Sequence, residues 1–355
     1  MNTVIPPNSY YDKETFLLEQ KRIFSNAWQF IGFKKELENN RDYVTETLAG
    51  IAIVARNCNG KIKAFHNVCS HRFNKICPHK KGNGFLKCEY HGWAYDDNGV
   101  PKGIPGKEGF GHLDLKELSL REYPVDYCGE LVFVKLGEHW PSLKQSMAGL
   151  YDIILKIGNS LGERIDTNEI EINANWKIIL ENTLEEYHVK EIHPESFDKL
   201  GLLSKNYVFF EENSMANIKT ESTLSSKKKL ETMFNSRPFH ISGYQHFLIF
   251  PNMTIATAFG TSFSIQQITP ISPNKTKFIS HVFSTKLEES TPNLALRKAF
   301  NDQVVRFNRQ VFEEDAIICE SVHEGMKTTY KLSGPLHQDE KRVFAFHQAY
   351  LKVIK

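Results

Sequence analysis

The chain has 355 residues, with 44 Lys and Arg against 42 Asp and Glu, a formal net charge of +2 and 41% hydrophobic residues. That balance excludes a basic nucleic-acid surface as its organising feature and gives no reason to expect an anionic membrane partner; no run of about 18 apolar residues is present to span a bilayer. At roughly 150 residues per domain the length predicts two domains. The start at Met1 shows neither the basic nor the apolar region of a secretory signal, so a cytoplasmic setting is expected.

In chain order, Lys13 to Phe30 carries helical spacing, with Phe16, Leu17, Ile23 and Trp28 near one face. From Asp42 to Val134 the pattern changes to short β-prone runs, Y-V-T-E-T-L, I-A-I-V-A-R, K-I-K-A-F and E-L-V-F-V. Asn59-Gly60 between two of them is a hairpin signal, and Asp97-Asn98-Gly99 gives another. Beyond Trp140, Leu143 to Leu161 is predicted helical, residues 169–173 form a strand, and Trp176 to Val189 forms a second helix. Phe247 to Phe283 alternates as strands with Pro251, Pro270 and Pro273 at turns, and a long helix runs from about Asn293 to Met326. Strands flanked by long helices without βαβ alternation give an α+β class. The expected division is a small antiparallel β domain over 36–138 and a larger domain, an antiparallel sheet flanked by helices, from 1–35 and 139–355.

Two pairs in the small domain carry chemistry: Cys69 with His71, and Cys88 with His91. Two thiolates and two imidazoles are the ligands of a Rieske [2Fe–2S] cluster, in which histidines on one iron raise the reduction potential. Zinc takes the same mixed set. One Cys and one His in each of two loops suits a dinuclear cluster better, because each loop then serves both irons. Gly82 and Gly84 break the connecting run, Gly92 follows the last ligand, and Gly103, Pro105 and Gly106 suit a third, covering loop. Cys58, Cys77, Cys128 and Cys319 show no pairing pattern, which fits a reducing compartment. Cys77 is expected in buried packing.

A second cluster lies in E-N-T-L-E-E-Y-H-V-K-E-I-H-P at 181–194. On a continuous helix Glu181, Glu185 and His188 share one face. Pro194 disfavours helix at His193, which can then swing back toward His188. A facial-triad iron needs two imidazoles and one carboxylate. Asp315 is the candidate, because it lies in a stripe with Val304, Val311, Ile318 and Val322, where an aspartate is costly unless paired or metal-bound. Glu313, Glu314 and Glu186 are expected in solvent, as is the Lys227–Lys229 run.

The stretch from N-V-C-S-H-R (67–72) through C-E-Y-H-G-W-A-Y-D (88–96) resembles the cluster-binding part of Rieske non-haem iron oxygenases, in their catalytic alpha subunit. W-Q-F-I-G-F (28–33), G-E-L-V-F-V (129–134), L-I-F-P-N-M (248–253) and F-A-F-H-Q-A-Y (344–350) are similar to the same family, and the likeness is weakest over 200–245. E-x-x-H-x-x-x-x-H at 185–193 resembles its iron motif, and E-D-A-I-I-C-E-S-V-H at 314–323 the segment bearing its third ligand. The resemblance implies a [2Fe–2S] Rieske domain, and a catalytic domain with mononuclear Fe(II) held by His188, His193 and Asp315. It also implies electrons from an NAD(P)H-dependent flavin/iron–sulfur reductase, directly or through a ferredoxin. O2 and a small organic molecule would be the co-substrates. The implied assembly is a head-to-tail homotrimer in which the cluster of one subunit serves the iron of the next.

Two positions depart from the family pattern. Phe73 stands where many members have Gly. Glu185 stands where most have an Asp that bonds a cluster histidine of the neighbouring subunit and an iron histidine of its own. Glu185 resembles the variant of carnitine-type monooxygenases, and a carboxylate there is expected to orient both rings and take a catalytic part. This tilts the expected reaction toward hydroxylation or N-demethylation of a small ammonium compound. Aromatic-ring hydroxylation is the alternative, and a Rieske electron carrier is the reading from another class. Tyr207, Phe209, Phe210, Phe234, Phe239, Phe247, Phe259 and Phe263 are candidates to line a pocket or cage a cation.

Overall fold

The computed structural model describes residues 1–137, 141–198, 206–218, 243–286 and 294–355. The Lys227–Lys229 run, Phe234, Phe239, Trp140 and Asn293 lie outside the described residues. The chain divides into two compact units, Phe24–Ser146 and Met1–Ile23 together with Met147–Lys355. Antiparallel sheet with separate helices makes the class α+β, as the pattern predicts.

The smaller unit holds β1 (Trp28–Phe33), β2 (Asp42–Leu48), β3 (Ile51–Cys58), β4 (Lys61–His66), β5 (Lys81–Asn83), β6 (Leu86–Lys87), β7 (Ala94–Tyr95), β8 (Pro101–Gly103), β9 (Glu122–Tyr123), β10 (Val125–Cys128) and β11 (Leu131–Lys135). They form three sheets, ordered β5-β2-β3-β4-β9, β1-β11-β10 and β6-β7-β8. Alternate side chains of a strand face opposite ways. In β3 both faces are buried: Val54 packs with Phe65, Cys77 and Trp93, while Ile53 and Ala55 pack with Val132 and Val134. Each fully buried Val, Ile or Phe contributes roughly 1.5–3 kcal/mol. Asn59 and Gly60 turn β3 into β4 with φ of 55° and 89°, the double left-handed conformation of a two-residue hairpin.

The helix expected from Lys13 to Phe30 is cut short. It spans Lys13–Glu19 (α1), capped where Asp12 Oδ2 accepts from the Thr15 N–H at 2.7 Å, and continues as a π-helical turn over Gln20–Phe24. Trp28 already belongs to β1, which is buried throughout and pairs with β11. Pairing and burial override the helical spacing there. The single helix expected over Leu143–Leu161 is also divided, into α2 (Leu143–Met147) and α3 (Tyr151–Ser160), with Ala148 at φ 48° between them.

In the larger unit, β12 (Leu161–Ile172), β13 (Asn206–Phe210), β14 (Asn213–Ile218), β15 (Tyr244–Ile249), β16 (Met253–Ala258), β17 (Ser262–Ser272) and β18 (Lys275–Thr285) form one antiparallel sheet, ordered β12-β18-β17-β16-β15-β14-β13. The strand expected at 169–173 is thus the end of a longer one. Pro270 sits inside β17 rather than at a turn, opposite Thr276 at a bulge. The pairing of β17 with β16 ends at Gln267, so the missing proline N–H interrupts no ladder on that side. The helices are α4 (Trp176–Thr183), α5 (Val189–Ile192), α6 (Leu294–Thr328) and α7 (Lys341–Ile354).

The buried side of α6 runs through Val311, Phe312, Cys319 and His323, whereas Val322, assigned to the stripe by spacing, is 41% exposed. Asp315 lies one turn from both Val311 and Cys319, which keeps it on the inner face. His323 is fully buried, with Nε2 at 2.9 Å from Asn274 Oδ1. Burial, and then Lys327, hold its pKa below the ordinary imidazole value. Below a pH of about 6.5 the unfolded chain therefore binds a proton that the native state refuses, and unfolding free energy rises with pH there. This contribution is fully present above the unfolded pKa and is lost as pH falls toward the folded one. The slope is at most about 1.4 kcal/mol per pH unit. Urea unfolding across that window should show the slope in the parent and a shallower one in His323→Gln; parallel slopes would refute the assignment.

Candidate active site and cluster-binding loops

The two Cys–His loops of the smaller unit share one backbone design. The Cys69 N–H donates to the Asn74 carbonyl and the Cys69 carbonyl accepts from Phe73 N–H; Cys88 repeats this with Trp93 and Gly92. The equivalent residues Phe73 and Gly92 both adopt left-handed φ, 59° and 73°. Glycine reaches that region freely, whereas a side chain costs roughly 1–2 kcal/mol. Phe73 carries this strain with its ring 79% exposed. A Cβ on Gly92 would stand 3.3 Å from Pro105 Cγ, so the predicted third loop covers this turn.

The design brings four donors together. Cys69 and Cys88 are buried, the His71 and His91 ring centroids are 4.5 Å apart, and His71 stacks on Trp93 at 5.0 Å. Tyr95 OH donates to Cys69 Sγ at 3.2 Å and Asn74 Nδ2 to Cys88 Sγ at 3.7 Å, contacts that tune a cluster's potential. Burial would raise the Cys88 thiol, but hydrogen bonds from the Tyr90 N–H, Asn74, the Cys69 thiol and the His91 N–H outweigh it and favour the thiolate a metal requires. His71 Nδ1 is buried without a hydrogen-bond partner. A buried orphan nitrogen beside two buried thiols fits a metal cluster.

In the larger unit, the helix expected over Trp176–Val189 ends at Thr183 and resumes only at Val189. Glu185 occupies the break. Its Oε2 accepts from the backbone N–H groups of Tyr187 and His188, the local competition that ends helices. Its Oε1 holds His188 Nδ1. Glu181 is therefore not on the His188 face; it accepts from Tyr10 OH at 2.7 Å and faces His347 Nε2 at 3.0 Å. Glu186, expected in solvent, is instead pushed up to about pKa 7 by burial and accepts from Tyr207 OH at 2.7 Å.

His188 Nε2 lies 3.6 Å and His193 Nε2 2.9 Å from the same atom, Asp315 Oδ1. One ligand atom from each residue falls within 4.8 Å of the others. His193 Nδ1 is 2.6 Å from Glu314 Oε2, which also accepts from Ser196 Oγ at 3.1 Å. Asn182 Nδ2 donates to Asp315 Oδ1 at 3.0 Å. Each histidine thus gives Nδ1 to a carboxylate and aims Nε2 at a common point, the arrangement that fixes metal-ligand tautomers. Burial opposes charge on His193, but Asp315 and Glu314 outweigh it and raise its pKa. A divalent cation between these donors replaces that proton.

Glu314, expected in solvent, is a positioning residue because the fold of the loop brings His193 back to α6. Spacing along α6 held no signal for it. Glu314→Ala should weaken iron retention by about 10–100-fold, read as iron per chain during dialysis against a chelator; unchanged retention would remove this role.

The triad opens on a cavity of about 280 Å³. Tyr244 and His246 of β15 stand opposite Ala258 and Ala256 of β16, whose small side chains leave that space. Phe197 packs edge-on to His193, Tyr244 and Phe307 at centroid distances of 5.8, 5.9 and 5.1 Å. Of the predicted aromatic candidates Phe259 lines the cavity, whereas Phe247 and Phe263 are buried in the sheet. Tyr207 serves Glu186.

Paired Cys–His loops on a β unit, and a His–His–Asp triad beside an apolar cavity, define an iron-dependent oxidoreductase with an electron-transfer centre and a separate oxygen-activating centre. The chain belongs to the ring-hydroxylating alpha subunit family: residues 161–355 match its catalytic domain and residues 27–124 match the Rieske [2Fe–2S] domain. Its Rieske domain binds a [2Fe–2S] cluster, its catalytic domain binds mononuclear iron, and the donor sets above fit both groups.

Among its relatives, choline monooxygenase of Atriplex hortensis is 26% identical over 377 residues, 100% of this chain and 79% of the relative. The alpha subunit of 2-aminobenzenesulfonate 2,3-dioxygenase from an Alcaligenes species is 33% identical over 281 residues, 75% and 71% of the two chains. The fold matches that of the quaternary ammonium Rieske monooxygenase CntA in complex with its substrate L-carnitine. That match has a TM-score of 0.81 at 19% identity over 100% of this chain and 96% of the other. Among the described residues no helix is long and apolar enough to cross a membrane.

Proposed function

We propose that this chain is an oxygenase component that hydroxylates or N-demethylates a small quaternary-ammonium substrate. Cys69, His71, Cys88 and His91 hold the cluster, and His188, His193 and Asp315 hold the iron. The observation that carries this reading is the convergence of both Nε2 atoms on Asp315 Oδ1 beside an aromatic-lined cavity. Iron bound there supplies oxygen activation. Around it Glu185 and Glu314 hold the Nδ1 protons of the two histidines, and Asn182 orients Asp315. Phe197, Tyr244, Phe259 and Phe307 keep the cavity apolar and offer ring faces to a cation.

Glu185 Oε1 is engaged by His188 Nδ1 alone and retains a lone pair, which supports a link to the cluster histidine of a neighbouring subunit in a head-to-tail trimer. We assign the Rieske domain to the smaller unit, Phe24–Ser146, wider than the expected 36–138, and the catalytic domain to Met1–Ile23 with Met147–Lys355. Electrons come from an NAD(P)H-dependent reductase, directly or through a ferredoxin. No disulfide joins any of the six buried cysteines, which supports a cytoplasmic setting.

NADH-driven O2 uptake with a cognate reductase tests the substrate class. Coupling to carnitine, choline or a betaine is expected, and coupling to none of them removes the ammonium reading. Aromatic-ring hydroxylation is the second reading, favoured by the 2-aminobenzenesulfonate dioxygenase relative. Iron analysis separates either from an electron carrier: about three irons per chain against two.

A further inference from the structure

Arg342 of α7 is 1% exposed and lines the cavity. Its Nε donates to Ser214 Oγ at 3.1 Å and its Nη1 to His246 Nδ1 at 3.0 Å. Nη2 is buried with no hydrogen-bond partner, and no carboxylate among the described residues pairs with this guanidinium. Glu186, which acts on it electrostatically, gives its Oε2 to Tyr207. An unpaired buried cation is costly, and a fold retains one readily where a ligand supplies the counter-charge. Burial lowers Arg342 only to about pKa 10, so it stays charged at neutral pH.

His246 carries this charge to the cavity. A guanidinium has donors only, so His246 Nδ1 must accept, and the single proton of the neutral ring sits on Nε2. Burial, and then Arg342, keep the ring neutral by pushing its pKa well down. No protein acceptor among the described residues takes the Nε2 proton. A donor polarised from behind by a cation, in a wall shared with the His188, His193 and Asp315 triad, is a receptor for negative charge.

We infer that the cavity takes a substrate with a carboxylate or sulfonate end, received by His246 Nε2–H with Arg342 behind it. Taken with the proposed function, on which it rests, the preferred substrate is a zwitterion of the betaine type rather than an amino alcohol. The aromatic rings of the cavity receive the cationic group and His246 Nε2–H the anionic one.

Calorimetric titration of the iron-loaded protein tests this without turnover, using pairs that differ only in the anion: glycine betaine against its methyl ester, and benzenesulfonate against benzenesulfonamide. At least tenfold tighter binding of glycine betaine than of its ester is expected. His246→Phe, with folding checked by circular dichroism, should bring that ratio close to one. If neither betaine nor ester binds but benzenesulfonate outbinds its amide tenfold, the anion receptor stands and the ammonium reading falls. Equal affinities within both pairs, binding by none of the four compounds, or a ratio unchanged in a folded His246→Phe, overturns the inference.

Discussion

Replacing His188 with alanine should abolish turnover while the visible absorption of the Rieske cluster persists. Iron should fall from about three atoms per chain to two, with labile sulfide unchanged. His188 lies in the larger unit, and all four cluster donors lie in the smaller, so the substitution removes one of three donors to a single ion and touches no thiolate. Two donors remain, His193 and Asp315, a set too small to hold a catalytic ion in fixed geometry. Glu185 Oε2 keeps its backbone partners, so the loop between α4 and α5 should keep its shape. Loss of the cluster spectrum would count against separate sites, and full iron occupancy would count against His188 as a ligand.

The largest expected loss of stability lies elsewhere, in a buried ion pair. Lys177 Nζ is 2.5 Å from Glu19 Oε1, and both side chains are fully buried. Glu19 also accepts from Trp176 Nε1 at 2.8 Å and Tyr350 OH at 2.7 Å, while Lys177 donates to the Ser9 carbonyl at 3.0 Å. Burial pulls the Lys177 pKa down against the pull of Glu19. Glu19→Ala strands the ammonium and two further donors, a defect of about 3–5 kcal/mol. Glu19→Leu combined with Lys177→Met removes both charges and should recover the part of that loss due to the stranded ammonium, since an apolar replacement of a buried pair is often neutral, while the Trp176 and Tyr350 donors stay unpaired. Denaturant unfolding of Glu19→Leu, Lys177→Met and the double gives the coupling. A single substitution under about 1 kcal/mol would mean that water reaches the pair.

The chemistry-bearing residues were legible because ligand chemistry constrains residue type and spacing together. Cys69, His71, Cys88 and His91 announce themselves since few side chains bind iron and a short loop limits where they stand. His188 and His193 stood out for the same reason, with Pro194 marking the end of helix. Expectations failed where one element's behaviour depends on another. Trp28 fits a helical face by spacing but lies in a strand because β11 pairs with it. Glu181 fits the His188 face only on a continuous helix, and that helix ends at Thr183. Glu186 and Glu314 are charged and unpatterned, so local sequence places them in solvent.

By itself the sequence determined the family, the α+β class and the two metal chemistries, all properties of residue identity at short range. Tertiary structure alone decided which carboxylate orients His193, which alanines leave room for the cavity, and that Arg342 stands unpaired behind His246. Two of those contacts, His193 with Glu314 and His246 with Arg342, join residues about a hundred positions apart. Side chains that far apart meet only when the sheet and the long helix pack, and hydrogen bonds, unlike hydrophobic periodicity, leave no repeating trace along the chain.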